Sequence, residues 1–325
     1  MKITKFYSLV HQHLYDALSQ IQYNPMIYDI KSPNVTNKYS SSPFLPKLIS
    51  EHIQNTNPIQ SKAMEYMGNI ISVHTYREMD VEDIMFLIIC IFELIYRLLD
   101  QCPMKVNISL VLTPYPKRFT SFPLTPHSIN SGVTSYISSR FKEIFIFREE
   151  EWTKVLIHEL LHAFHLTSWF HNSSSACIHD HYKNIYPNLK TQIPAATLES
   201  EAYTEYIAQL IYYTLHSHSD EEFRQKLDNG ITYTKKQLSS LLYYSKCYKI
   251  ENIQNKQNKK CKWTENTSAF GYYYMRYLLL RSNYVPSTLV IKTIDLHTLL
   301  NNLKAEILDF DSKPMEIGFS LAMTC

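Results

Sequence analysis

Between Lys154 and His165 the chain reads KVLIHELLHAFH, which sets His158 and His162 four residues apart with Glu159 directly after the first. On a helix, residues four apart share one face, so both imidazoles can turn a ring nitrogen toward one metal ion. Glu159 is rotated by about 100° from His158 and reaches a water on that metal rather than the metal itself. Two neutral imidazoles suit zinc. A neighbouring carboxylate can accept the water's proton as it attacks a carbonyl that the metal polarises. The chain's own His and Glu frequencies give roughly 0.03 chance matches to this five-residue pattern, so the surroundings must decide. Without a metal, two histidines and a glutamate on a partly apolar helix would be buried at a cost and to no purpose.

The elements that must position these residues are legible on both sides. Before the motif, KVNISLVLTPYP, SGVTSYIS and EIFIFR read as three short β-branched strands. The motif helix then starts in the acidic turn Glu149, Glu150 and Glu151, where carboxylates favour the positive end of a helix dipole. After it, TSWFHNSSSACIHDHYKNIYPNLKTQIP looks irregular, and helical periodicity resumes at Thr197 in LESEAYTEYIAQLIYYTLHS. Further helices are expected around SAFGYYYMRYLLL and LHTLLNNLKAEIL, separated from it by the lysine-rich loop ENIQNKQNKKCKW, read as a solvated insertion. The first hundred residues read as mostly helical, through FLPKLISEHIQ and SKAMEYMGNIISVH, with a polar loop from Asp29 to Pro43.

Composition narrows the class. A chain of 325 residues that is 45% hydrophobic and 19% charged can bury a sizeable core. Its net charge of +2 gives no reason to expect nucleic acid or a membrane as a partner. VEDIMFLIICIFELIYRLLDQ is strongly apolar, but Glu93 and Arg97 inside it favour a buried core helix over a membrane span. The six cysteines are widely spread with no CxxC pair and read as reduced thiols. With no secretory signal in MKITKFYSLVHQHLYDALSQ, the expected compartment is the cytoplasm, or the host cytoplasm or virion if the protein is viral.

HELLH, with strands before it and a glutamate-bearing helix after it, resembles the zincin metallopeptidases. That resemblance implies an α+β, mostly helical protein in which a small twisted sheet packs on the HExxH helix and peptide binds along the sheet's edge strand. The metzincin branch continues with a glycine and a third ligand at positions held here by His165 and Ser168, so that branch does not fit. His165 would also stand about 10 Å along the helix axis from His158. The gluzincin branch takes its third ligand from a later helix, as a Glu followed four residues on by an acidic residue that supports a ligating histidine. ESEAYTEYIAQ is similar to this, with Glu201 as ligand and Glu205 in place of the usual Asp. Glu199 and His181 remain competitors for the third position. NSGVTSY, IFIFREEEWTKVLIHELLHAF and ESEAYTEY, in this order, also resemble metallopeptidases of large DNA viruses.

The resemblance covers Asn130 to about Gln209 and implies Zn2+ held by His158, His162 and Glu201, with Glu159 as general base for hydrolysis of a peptide or protein substrate. The expected organisation is a helical accessory region (1–102), a zincin-like core (103–230) and a helical C-terminal region (231–325). Two other readings are a catalytically inactive zincin-fold protein braced by zinc, structural or virion-associated, and a zinc-free helical interaction protein. If Thr197 to His216 is one helix, Glu201, Glu205, Ala208 and Tyr212 form one stripe, with Glu199 turned away by about 200°. NSGVTSY is polar and β-branched and suits an exposed edge beside the cleft. The tyrosines at 206, 212, 213, 272, 273 and 274 are abundant enough that packing is the expected role.

Overall fold

The computed structural model describes residues 3–21, 26–30, 44–99, 104–164, 166, 184–191, 193–261, 263–282, 285, 289, 293–303, 314–316 and 320–323. Helices α1 (Ile3–Gln20) and α2 (Lys47–Asn55) flank the short strand β1 (Tyr28–Asp29), and a hairpin of β2 (Gln60–Tyr66) and β3 (Asn69–Thr75) follows. Then come α3 (Val81–Leu99), β4 (Lys105–Leu112), the turn α4 (Pro126–Ile129), β5 (Gly132–Ser138) and β6 (Phe141–Ile146). The motif helix is α5 (Trp152–Ala163). Strand β7 (Leu189–Thr191) leads to the long helices α6 (Ala195–Leu215) and α7 (Asp220–Tyr244). The chain continues through α8 (Ile250–Gln254), β8 (Trp263–Glu265), a π-helix (Gly271–Met275), α9 (Arg276–Ser282) and α10 (Thr293–Leu303). Strands β7 and β8 pair parallel to each other.

Among the described residues the main sheet has six strands in the order β1-β2-β3-β4-β6-β5, and about 53% of those residues are helical. Strands β3, β4 and β6 run parallel, while β5 returns antiparallel to β6 and forms an edge. One sheet face carries Val111, Phe145 and Phe147 against Leu45, Ile49 and Ile53 from α2 and the turn before it. The other carries Ile71, Val73, Ile108, Leu110, Ile144 and Ile146 in one continuous core with α3, α5 and α6. Along β4 polar Lys105, Asn107 and Ser109 alternate with buried Val106, Ile108 and Leu110, and only its end, Leu110 to Leu112, is continuously apolar, where both faces are covered.

Three expectations are corrected. SKAMEYMGNIISVH is the β2–β3 hairpin rather than a helix: Met67 and Gly68 both take positive φ, 50° and 74°, as a two-residue turn matched to strand twist requires. Asn69 fixes the turn, donating to the carbonyls of Tyr66 and Met67 and accepting from Val106 N–H across the sheet. Residues 1–102 are therefore no helical accessory region, since they supply β1, β2 and β3, and helix α7 runs uninterrupted across the expected boundary at 230/231. Cys247 and Cys261 form a disulfide instead of remaining reduced, because the α7 C-terminus and the strand β8 bring distant sequence together; Cys90 is free and buried.

Helix α3 is buried in the core, with Glu93 accepting from Tyr66 Oη and paired with Arg97 at 3.6 Å. Among the described residues no helix is long and apolar enough to cross a membrane. Helix α5 begins at Trp152, with Glu151 in the left-handed region just before it. The Glu151 carboxylate does not cap the helix; it pairs with buried Lys117 and accepts from Met323 N–H.

Candidate metal centre

Helices α5 and α6 pack side by side, and Ala208, small and buried on the Glu201 stripe of α6, suits a close approach. Across that contact the Nε2 atoms of His158 and His162 stand 3.0 Å apart, and each is 3.4 Å from Glu201 Oε2. A tetrahedral ion with ligand bonds of about 2.0–2.1 Å holds its donors roughly 3.3 Å apart. The three donors therefore form a triangle of the size that zinc fills. Among the described residues no fourth His, Cys, Asp or Glu joins them, which leaves a coordination position for water or substrate.

The surrounding charges suit a cation. Burial alone would lower the His158 imidazole, but Glu201 and Glu205 carry it up to about 10. Glu201 is partly buried, and its desolvation works against ionisation, yet His162 and His158 hold its carboxyl well below the usual range. Glu205, one helical turn beyond Glu201, places Oε2 3.0 Å from His158 Nδ1. Its Oε1 is held by Lys154 Nζ and by Arg276 Nη1 at 3.5 Å. A carboxylate this close to Nδ1 favours the tautomer protonated there, which leaves the Nε2 lone pair for the donor triangle.

Glu159 stays outside the donor triangle. Its Oε2 accepts a hydrogen bond from Thr134 Oγ1 at 2.7 Å, on the edge strand β5. Among the described residues strand β5 is paired on one side only, and Phe147 N–H donates to Ser131 O at 2.9 Å. By antiparallel alternation the backbone groups of Gly132, Thr134 and Tyr136 then point away from β6. They face a cleft of about 630 Å³ whose walls include β5, His158, Glu159, His162, Glu201 and Tyr272.

The competitors fall elsewhere. Glu199 is fully buried and bonds His297 Nδ1 at 2.7 Å, on the side of α6 that meets α10. His181, His165 and Ser168 lie outside the described residues. Of the tyrosines, Tyr206, Tyr213, Tyr273 and Tyr274 are packed in the core as expected. Tyr272 is not merely packing: its hydroxyl donates to Glu201 Oε2 at 2.9 Å, and burial, then Glu201, push its pKa far up.

Tyr272 reaches the site because the chain forms a π-helix there, a rare insertion common at functional sites. Its first residue, Gly271, lies so close to α6 that a Cβ would come within 2.5 Å of the Leu198 carbonyl. That glycine was the one sequence signal for Tyr272. Thr134 gave no signal of its own beyond belonging to the expected edge.

Comparison of the chain with protein-family models, with curated proteins and with solved structures finds no match.

Proposed function

We propose that this protein is a zincin-like, zinc-dependent metallopeptidase that cleaves an extended peptide laid along β5. The observation that carries this reading is the division of labour among four side chains. His158, His162 and Glu201 converge on one point, while Glu159 lies beside that point on the cleft wall and ligates nothing. A purely structural zinc site is closed by four protein ligands and has no use for a free carboxylate next to it. A zinc-free helical protein has no use for the convergence.

A bound zinc ion would supply Lewis acidity, polarising the scissile carbonyl and lowering the pKa of a water. The remaining steps belong to the chain. The outward backbone groups of β5 would pair with the substrate main chain and fix its carbonyl beside the donor triangle. Glu159 would take the proton of the attacking water and return it to the leaving amine. Tyr272, whose hydroxyl now rests on Glu201, could turn its O–H toward the oxygen on which negative charge develops.

The test is metal analysis of the purified chain followed by incubation with a mixed peptide library. The wild type should hold about one zinc and cleave peptides. Glu159→Gln should keep the zinc and lose cleavage, whereas His158→Ala or His162→Ala should lose the metal. A wild type that fails to take up zinc after repletion would refute the proposal.

A further inference from the structure

The HExxH spacing explains where Glu159 starts, but not where its carboxylate ends. Strand alternation puts Gly132 and Thr134 on the face of β5 turned toward α5. Thr134 Oγ1 lies 2.7 Å from Glu159 Oε2 and 3.1 Å from the Glu159 backbone oxygen, so one hydroxyl spans the residue's main chain and its carboxylate. On the other side, a Cβ added at Gly132 would stand 3.1 Å from Glu159 Oε1, 3.2 Å from its Cγ and 2.8 Å from Val155 Cγ1. The carboxylate thus sits between a donor and a glycine whose missing Cβ leaves the room it occupies. Because Thr is β-branched, its hydroxyl is confined to few rotamers and makes a stiffer donor than Ser.

We propose that Thr134 is the positioning residue for the general base, with Gly132 keeping open the space that its carboxylate occupies. This rests on the peptidase reading above. The same residue also turns its backbone N–H and C=O to the free edge of β5, so the group that orients the base and the group that pairs with substrate belong to one residue. Substrate seated in register on Thr134 is therefore in register with Glu159. A shift of the edge strand would misplace both at once, and a misplacement of about 1 Å at a reacting group costs on the order of a hundredfold in rate.

The test compares wild type, Thr134→Val, Thr134→Ser and Gly132→Ala by zinc content, by kcat and KM on one peptide the wild type cleaves, and by crystal structures of the zinc-loaded proteins. Valine keeps the shape and burial of threonine but cannot donate. Thr134→Val should retain one zinc per chain and a KM within about twofold, with kcat lowered at least tenfold. Thr134→Ser should recover most of kcat, and Gly132→Ala should lower it with zinc retained. In the crystals the Glu159 carboxylate should leave its position in Thr134→Val and Gly132→Ala and keep it in Thr134→Ser.

A Glu159 carboxylate unmoved in Thr134→Val overturns the proposal whatever the activity. So does a wild-type kcat in that variant, or a loss that appears in zinc content instead of turnover. A wild type that takes up zinc but cleaves no peptide would refute the peptidase reading by a different measurement, and the crystallographic position of the carboxylate still decides this one.

Discussion

Glu205 Oε2 lies 3.0 Å from Nδ1 of His158, and Glu205 follows Glu201 by one turn of the same helix. One element thereby supplies both a candidate ligand and the group that orients another ligand. Lys154, then His158 and Arg276, keep Glu205 ionised against its burial.

The ranking of the acidic residues on α6 follows from this geometry. Glu201→Ala should lower zinc affinity by orders of magnitude, because two imidazoles alone cannot close the triangle. Glu205→Ala should lower it by about 10- to 100-fold through the orientation of His158. Glu199→Gln should leave it nearly unchanged, since Glu199 faces His297. Zinc titration against a chelator of known affinity measures all three, and a Glu199 variant ranking as the most damaging would show that α6 is turned the other way.

Removing the Tyr272 hydroxyl should separate metal binding from turnover. In Tyr272→Phe the donor to Glu201 Oε2 is lost but none of the three candidate ligating atoms is. Zinc content should stay at about one per chain while kcat falls roughly 10- to 1,000-fold, the range seen when a single transition-state donor is deleted. An unchanged kcat would return Tyr272 to a packing role.

Stability should depend on pH through Glu265. Burial raises its carboxyl to about 8, even though Trp263 Nε1–H and Phe270 N–H both donate to Oε2. The folded protein thus holds a proton that the unfolded chain releases above the ordinary carboxyl range. This contribution is complete in acid and is lost as pH rises toward 8, by roughly 1.4 kcal/mol per pH unit across that window. Glu265→Gln, which keeps an acceptor for both N–H groups, should flatten the decline. Urea denaturation at pH 5 to 9 reads the difference, and equal slopes for the two proteins would refute the assignment.

The disulfide should matter for stability and not for the metal. Cys247 and Cys261 close a loop over a separation of 14 residues. Opening a loop of that size costs about 3 kcal/mol on the chain-entropy account. Reduction, or Cys247→Ser with Cys261→Ser, should lower the denaturation midpoint with zinc content unchanged.

The HExxH helix, the strands before it and the Glu201 helix were legible in the sequence because each rests on short-range regularity. Ligands at a spacing of four, alternation in β-branched runs and a 3.6-residue stripe are properties of neighbouring residues. The stripe even separated Glu201 from Glu199, since rotation about one helix axis needs no tertiary information. Tertiary packing decided the rest. The β2–β3 hairpin looked helical because its apolar residues come in adjacent pairs three or four residues apart, Ala63 and Met64, Tyr66 and Met67, then Ile70 and Ile71, and fail to alternate cleanly. The Cys247–Cys261 bond joins residues whose proximity depends on how α7 and β8 dock. Thr134 holds Glu159 from 25 residues upstream, and Tyr272 reaches Glu201 from 71 residues downstream. Contacts of that range leave no periodic trace in the chain, since they are fixed by how the edge strand, the two site helices and the π-helix pack together.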